Sequence, residues 1–362
     1  MYSPRFSGKD PGPWPPCAIN GAMTLWQACL VFLASAAVLV RAGSSLAGYA
    51  DQIADRTKMS RLFVGTLLLA FATSLPELVT EITAARAGAP DLALGDLFGS
   101  SMANMAILAI IDLLYRGQVW PSVELGHARV AAVAIALTAM AALSIFTQTT
   151  LSIGWVGITP LVIAALYVSS IAWFRRMPLL ARPGLEAPKI AVHEATGWSK
   201  KAAERSTPSL WARFAGSALV ILLTAPIVTL SVKVIADSTG IAQTFLGAAL
   251  LAVTTSLPEL IASIASVRIG AYDMAVGNLF GSNVANMSIL LFADIAYTEG
   301  PILAAVSESQ VVSAFGAILL MAIAVAAIVG ESEKTRFRRL EPDAIVLLAA
   351  YAVTMVAIAY YG

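Results

Sequence analysis

Two glutamates, Glu77 and Glu259, each follow a proline inside an otherwise apolar stretch of this chain. Both belong to the pentapeptide Thr-Ser-Leu-Pro-Glu, which occurs at 73–77 and again at 255–259. Each copy therefore combines a carboxylate, two hydroxyl groups and a helix-breaking proline. Within a membrane such polar groups are costly and mark a functional site. Because all of them offer oxygen atoms, the pattern predicts a site for a hard cation such as Ca²⁺ or Na⁺ rather than Zn²⁺ or Cu⁺.

The pentapeptides belong to a longer internal repeat. Residues 65–115 align with residues 247–297 at a constant offset of 182 without gaps, and about half of the aligned residues are identical. A second matching block places a serine and an asparagine four residues apart in each copy, on one helix face. These four side chains are either further ligands or polar contacts between helices. They are Ser100, Asn104, Ser282 and Asn286.

The composition is that of an integral membrane protein. Of 362 residues, 58% are hydrophobic and 12% are charged, with a mean hydropathy of +0.79, whereas soluble domains carry about 25% charged residues. A net charge of +1 offers no basic surface for nucleic acid. The two cysteines and two histidines match no disulfide framework or zinc spacing. Since no nucleotide-binding or nucleophile motif is present either, we expect no cofactor and no enzyme activity.

Ten apolar segments are long enough to cross a bilayer, which takes about 20 helical residues. They predict an all-α membrane protein with spans at 24–42, 61–86, 91–115, 127–148, 152–174, 213–236, 243–267, 273–297, 303–329 and 343–361. The Pro- and Gly-rich residues 1–22 predict a disordered leader, and Met23 is a second candidate for the start of the protein. The polar residues 175–212 predict a cytoplasmic linker, either a solvated connection or a segment that contacts lipid or regulates. It separates two five-helix halves, 23–174 and 213–362, with the repeats at 65–115 and 247–297.

The placement of basic residues predicts the orientation. Loops that follow odd-numbered spans carry 19 of the 23 lysines and arginines, and basic loops stay in the cytoplasm. We therefore expect a multi-pass protein of the cytoplasmic (inner) membrane with both termini outside. Since each half has five spans, the halves enter the membrane from opposite sides. Such inverted repeats bring the two pentapeptides together near the bilayer midplane, about a pseudo-two-fold axis.

The prolines and glutamates together suggest how a cation is held. Pro76 and Pro258 cannot donate a backbone hydrogen bond, which frees carbonyl oxygens near Ala72 and Thr254. A carboxylate at the membrane centre costs about 2.5–3.5 kcal/mol, so two of them must be neutralised. One Ca²⁺, two Na⁺ or two protons do this equally well, and that equivalence is a physical basis for exchange.

An arginine partner for the two glutamates is the alternative to a cation. Arg86 and Arg268 lie more than two helical turns beyond Glu77 and Glu259, respectively, at the predicted helix ends. Their distance along the chain argues against such a pair.

Four further acids lie in the repeats. Glu81, opposite a serine in the second copy, is either an extra proton or cation site or a buried structural partner. Asp96, opposite an asparagine, is expected to cap a helix rather than to coordinate. Asp112 and Asp294 match across the copies, and we expect a structural or interface role, with an access path as the alternative.

At these residues the chain resembles the cation/calcium antiporter superfamily and, within it, the bacterial Na⁺/Ca²⁺ exchanger-like proteins. Their repeats carry a TSLPE signature in the second and seventh spans and a GNxxGSNxxN/D signature in the third and eighth. Here the matching segments read ATSLPE, TTSLPE, GDLFGSSMAN and GNLFGSNVAN. The resemblance implies the sodium/calcium exchanger fold of two inverted five-helix repeats. It also implies alternating access by sliding of spans one and six over the others.

The resemblance further implies the ions and their ligands. Ca²⁺ and Na⁺ would be the transported ions, in a lipid bilayer, and no protein partner would be needed by a functional monomer. The implied metal ligands are Thr73, Ser74, Glu77, Ser100, Asn104, Thr255, Ser256, Glu259, Ser282 and Asn286, with the carbonyl oxygens of Ala70 and Ala252.

One departure from the family pattern affects the choice of coupling ion. Characterised exchangers usually have an aspartate at the position of Asn104 or Asn286, whereas this chain has asparagine at both. Coupling of Ca²⁺ to Na⁺ is therefore the leading hypothesis, and coupling to H⁺ is the alternative. The proton-coupled branch of the superfamily has a glutamate where this chain has Gly99 and Gly281. A passive channel or a non-transporting sensor is a third hypothesis.

Overall fold

The first half of the chain forms a series of helices connected by short segments. The computed structural model describes residues 23–86, 88–115, 119–176, 206–239, 255–330 and 342–361. Its helices in this half are α1 (Leu25–Thr57), α2 (Arg61–Phe63), α3 (Ala70–Thr73), α4 (Leu75–Arg86), α5 (Pro90–Leu114), α6 (Val119–Ser122), α7 (Gly126–Phe146) and α8 (Ile158–Arg175). A π-helical segment, Val64–Leu69, joins α2 to α3.

The second half follows the same order. Its helices are α9 (Thr207–Thr239), α10 (Leu257–Arg268), α11 (Tyr272–Ala296), α12 (Ile302–Ala305), α13 (Gln310–Val329) and α14 (Pro342–Tyr361). The predicted leader, most of the predicted linker and the first half of the predicted seventh span lie outside the described residues. The sixth span begins at Thr207, within the segment predicted as linker.

Eight helices of the described ranges are long and apolar enough to cross a membrane. A ninth candidate is the bent pair formed by Arg61–Thr73 and Leu75–Arg86. The chain is therefore a multi-pass membrane protein. Its span boundaries agree closely with the hydropathy pattern for α5, α7, α11 and α14, while α1 continues well beyond the predicted end at residue 42.

Two predicted spans are interrupted. The fifth was expected as one helix over 152–174, but it begins with an antiparallel pair, β1 (Ser152–Ile153) and β2 (Val156–Gly157). Gly154 lies between the strands with φ of +66°, a conformation that glycine adopts without steric cost. The prediction of an all-α chain is corrected by this hairpin. The ninth span was expected over 303–329 and is divided into α12 and α13.

Asp294 and Asp112 hold the segments that follow the third and eighth spans. Asp294 accepts hydrogen bonds from the backbone N–H groups of Ile302 (2.7 Å) and Gly157 (2.6 Å). Asp112 accepts one from the N–H of Val119 at 3.1 Å. Each carboxylate thus receives a backbone donor from the start of a short helix, α12 or α6, a place where donors lack helical partners. The expected structural role of both aspartates is confirmed.

We expect Asp294→Ala to lower the free energy of unfolding by roughly 1.5–3 kcal/mol, since a buried hydrogen bond to a charged group contributes about that much. Thermal unfolding of the purified protein in detergent would measure the change. Glu308→Ala is the matched control, because the Glu308 side chain is exposed. Equal melting temperatures for the two variants would contradict the anchoring role.

The hydrophobic core is divided into two clusters. The smaller one joins α1 and α9, which pack along each other, to the π-helical segment and to α10. The larger one contains most of the buried apolar side chains of α5, α7, α11 and α13. Small side chains dominate the contact side of α1, including Ala42, Ala47, Ala50 and Ala54. Helices α1 and α9 therefore form a layer against the elements that carry the repeats.

The backbone of α11 comes unusually close to the π-helical segment. A Cβ atom on Gly277 would lie 2.9 Å from the Leu62 carbonyl oxygen, and one on Gly281 would collide with the backbone of Thr66. Two small residues four apart on one helix face permit this close approach. For Gly95 the described residues place only the Gln310 amide nearby, at 3.7 Å. The contact places α11 against the π-helical segment and α3, which lead into the first pentapeptide.

Candidate functional site

Both pentapeptides break their helices in the same way. Ser74 has φ −85° and ψ 7°, and Ser256 has φ −83° and ψ 5°. In each repeat a new helix begins at the next residue, with its proline in the first turn. Backbone N–H groups in the first turn have no partner within the helix, so a proline there costs no helical hydrogen bond. The axes before and after Ser74 differ by 44°. The predicted break is confirmed, and it places Glu77 and Glu259 in the first turn of α4 and α10.

The candidate ligands are buried where α4, α5, α10 and α11 pack together. Glu77 is 1% exposed and Glu259 is fully buried. Ala252 lies outside the described residues. The remaining candidates are equally inaccessible, and they are Ala70, Thr73, Ser74, Ser100, Asn104, Thr255, Ser256, Ser282 and Asn286. None of these side chains faces the hydrocarbon, as a polar site within a membrane requires.

The Glu259 carboxylate brings three predicted ligands together. Its Oε1 atom accepts hydrogen bonds from the hydroxyl of Ser74 at 3.2 Å and from the hydroxyl of Ser282 at 3.3 Å. Ser74 belongs to the first repeat and Glu259 to the second. Glu77 follows Ser74 by three residues and is itself buried. The acids of the two repeats therefore share one buried region.

Two hydrogen bonds between the repeats are related by exchange of the copies. The Thr73 hydroxyl lies 3.2 Å from Asn278 Oδ1, and the Thr255 hydroxyl lies 3.2 Å from Asp96 Oδ1. Thr255 is the counterpart of Thr73, and Asn278 is the counterpart of Asp96. Such pairing is what a two-fold relation between the repeats requires. A third contact, between Ser100 and Thr255 at 3.2 Å, adds another predicted ligand to the region.

Several buried oxygen atoms in this region have no hydrogen-bond partner in the described residues. They include one carboxylate oxygen of Glu77 and one of Glu259, the Oδ1 atoms of Asn104 and Asn286, and the hydroxyl of Ser256. Buried polar groups are normally paired, so unpaired ones point to an ion or another ligand. The ion pairs of the described chain join Arg61 to two aspartates and His127 to Asp273, and none reaches the glutamates. Within the described ranges, an arginine partner of the glutamates is therefore not observed.

The sequence profile of a family described as sodium/calcium exchanger protein matches residues 27–174 and 209–360. The chain belongs to this family. Among curated relatives, inner membrane protein YrbG of Escherichia coli is 30% identical over 246 residues, which cover 67% of this chain and 71% of YrbG. The putative antiporter CaxA of Alkalimonas amylolytica is 27% identical over 283 residues, or 76% and 83% of the two chains. Sodium/calcium exchanger MaX1 of Methanosarcina acetivorans is 43% identical over 56 residues, 16% of each chain.

Solved structures share the fold of this exchanger-family chain. The sodium-calcium exchanger NCX_Mj, soaked with 10 mM Na⁺ and zero Ca²⁺, superimposes with a TM-score of 0.67 at 19% identity. The superposition covers 92% of this chain and 99% of NCX_Mj. The helical architecture is thus that of the family.

Three candidate ligands of this family member, Ala70, Thr73 and Asn104, already form hydrogen bonds with other protein groups. The Ala70 carbonyl oxygen accepts from the Ser74 N–H at 3.0 Å and from the Thr73 hydroxyl at 3.1 Å. The Asn104 amide donates to Asn283 Oδ1 at 2.9 Å, and Asn283 in turn donates to the Ser101 carbonyl at 3.3 Å. Asn283 was not singled out from the sequence. The second repeat has asparagine at position 283 where the first repeat has Ser101. This difference within an otherwise matching block could have identified Asn283 from the sequence.

Asp96 contradicts the expectation of a helix cap. Helix α5 begins at Pro90 and its N-cap is Ala89, because proline suits the first helical position. Asp96 therefore lies nearly two turns inside the helix, where its side chain is 2% exposed. It points at the second repeat and binds the Thr255 hydroxyl.

The acidic residues alone do not form a metal cluster. In the described ranges no group of three or more His, Cys, Asp or Glu side chains has the geometry to hold a metal ion. A cation bound here would therefore need hydroxyl, amide and carbonyl oxygens beside the carboxylates. Hard cations such as Ca²⁺ accept such mixed oxygen shells.

Proposed function

We propose that this chain is a secondary active antiporter that exchanges Ca²⁺ for Na⁺ by alternating access. The cation would bind between the two repeats, near the bilayer midplane. The supporting observation is that each repeat supplies one buried glutamate, Glu77 or Glu259, with an unpartnered oxygen. The proposed ligands are those implied by the family resemblance, from Thr73 and Ser74 in the first repeat to Ser282 and Asn286 in the second.

Charge balance explains why exchange would follow from this site. Two carboxylates in a medium of low dielectric cannot both stay ionised without positive charge nearby. One Ca²⁺ or two Na⁺ supplies it. An empty, doubly charged site would be unfavourable. The site would therefore change its access from one side of the membrane to the other mainly with Ca²⁺ or Na⁺ bound.

The proposal includes an arrangement of ten spans as two inverted repeats, with both termini outside and the monomer as the working unit. The layer formed by α1 and α9 supports the sliding step, since these two helices pack along each other and belong to the smaller core cluster. The relative from Escherichia coli is called an inner membrane protein, which supports the same location here. MaX1 is called a sodium/calcium exchanger, which supports the choice of ions.

The proposal predicts that an imposed Na⁺ gradient drives ⁴⁵Ca²⁺ uptake into proteoliposomes of the purified protein. We expect no uptake when choline replaces Na⁺, because the counter-ion would be missing. Protein-free liposomes under the same gradient are the control.

Coupling to protons is the alternative, favoured by the two asparagines at 104 and 286. Uptake driven by a pH gradient in the absence of Na⁺ would replace Na⁺ by H⁺ in the proposal. Ca²⁺ flux that needs no counter-ion gradient would identify a channel instead.

A further inference from the structure

The two repeats differ at one pair of buried positions next to the central site. In the first repeat the pair is Glu81 on α4 and Asp96 on α5. In the second repeat the equivalent residues are Ser263 on α10 and Asn278 on α11. Helix α4 packs against α5 as α10 packs against α11. The same helix contact therefore carries two acids in one repeat and two neutral polar residues in the other.

The neutral pair is satisfied by its own hydrogen bonds. The Asn278 amide nitrogen lies 3.0 Å from the Ser263 hydroxyl and 3.3 Å from the backbone carbonyl oxygen of Glu259. The Ser263 hydroxyl donates to the Ala275 carbonyl oxygen at 3.3 Å. The amide thus supplies the donor that the surrounding acceptors need.

The acidic pair has acceptors only. An ionised aspartate at 96 cannot replace the donor that Asn278 supplies, because ionised carboxylates only accept hydrogen bonds. Both carboxyl oxygens of Glu81 and the Oδ2 atom of Asp96 are buried without a partner in the described chain. Glu81 is fully buried, and the repeat relation places it across the α4–α5 contact from Asp96, as Ser263 lies across the α10–α11 contact from Asn278. Two buried acids with unpartnered oxygen atoms need positive charge, either from a cation or from bound protons.

We propose that Glu81 and Asp96 form a second cation site, present in the first repeat only, that binds a hard cation, Na⁺ or Ca²⁺. The ligands would be the two carboxylates, joined by the Glu77 backbone carbonyl oxygen, which is the counterpart of the Glu259 carbonyl that faces Asn278. All of these are oxygen atoms, which is the chemistry hard cations select. A role of this site in exchange rests on the proposed function. Binding of a cation at the site can be measured whether or not the protein transports ions.

The second site also restores negative charge near the centre. The asparagines at 104 and 286 leave the central site with two carboxylates. With Glu77 and Glu259, the residues Glu81 and Asp96 raise the number of buried acids in the region to four. A cation at the second site would keep that charge balanced while the central site changes its cargo.

The chain itself provides the test variant. Glu81→Ser combined with Asp96→Asn copies the pair that the second repeat already accommodates. Equilibrium binding of ²²Na⁺ and, separately, ⁴⁵Ca²⁺ to purified protein in detergent would count the ions per chain. We expect the double variant to bind one ion fewer of at least one of these cations. Ser263→Ala is the matched control, and we expect it to bind as many ions as the unmodified chain.

A second variant separates this proposal from the proposed function. Glu77→Gln with Glu259→Gln removes the charges of the central site, and we expect it to keep the one ion that Glu81 and Asp96 hold. One pair of results is that the variant still binds this ion while the unmodified chain shows no Na⁺-driven Ca²⁺ uptake. That pair of results would overturn the exchanger proposal and leave the second site standing.

Unchanged counts of both ions in the folded Glu81→Ser, Asp96→Asn protein would overturn the second site, because the pair would then hold protons rather than a metal ion. If that double variant does not fold, Glu81→Gln, which keeps the side-chain volume, is expected to lose the same ion. Retention of all ions by folded Glu81→Gln would be equally decisive against the site.

Discussion

Glu259→Gln is expected to reduce Na⁺-driven Ca²⁺ uptake by more than about 100-fold, since loss of even an outer partner of a metal site costs 10–100-fold in affinity or activity. The glutamine fills the same volume, so the fold is expected to survive. It removes the negative charge, and it replaces one carboxylate oxygen by an amide N–H₂ group that cannot bind a cation. Uptake of ⁴⁵Ca²⁺ into proteoliposomes would measure the loss.

Glu77→Gln is expected to have a similar effect, because Glu77 and Glu259 occupy equivalent positions of the sequence repeat and both are buried. Glu308→Gln is the matched control, since it makes the same chemical change at an exposed position and should leave uptake unaltered. If both buried variants transport Ca²⁺ as well as the unmodified protein, the assignment of the central site is wrong.

Gly281→Val is expected to destabilise the protein by about 3 kcal/mol or more, because overpacking usually costs 1–3 kcal/mol and the obstacle here is backbone. A Cβ atom at this position would collide with Thr66, and the π-helical segment around Thr66 is held between α2 and α3. No change of side-chain rotamer relieves that contact. Thermal unfolding in detergent, followed by circular dichroism, would measure the effect.

Gly216→Ala provides the comparison. Gly216 lies within α9, and a Cβ atom there would meet nothing within 4 Å. Alanine is therefore expected to stabilise the helix by about 0.5–1 kcal/mol, the usual difference between glycine and alanine in a helix interior. A Gly281→Val protein that melts as high as Gly216→Ala would show that the helices are not in close contact in the membrane protein.

The glutamates of the site could be predicted from the sequence because their cost in an apolar segment is independent of the fold. Glu77 and Glu259 each follow a proline in an apolar segment, and both are buried in the structure. Hydropathy likewise located the long helices, since each must match the thickness of the bilayer. Breaks of about one helical turn, such as the one between Ala305 and Gln310, hardly change the average hydropathy and were missed.

The partners of each side chain could not be predicted in this way. Asp96 was expected to cap its own helix, yet it bonds Thr255 in the other repeat. Asn283 was not singled out, yet it holds Asn104. Both contacts join residues more than 150 positions apart, and no local pattern encodes them.

The repeated pentapeptides, and the apolar segments around them, determined from the sequence alone that this is a membrane protein with two matching acidic segments. They did so because the bilayer sets the same physical requirements for every helix that crosses it. Only the tertiary structure decided that Ser74 of one repeat meets Glu259 of the other, and that Glu81 and Asp96 lack the donor that Asn278 supplies in the second repeat. Those relations depend on how close two helices come, and that distance is set by packing, for example at Gly281, rather than by the residues on either helix taken separately.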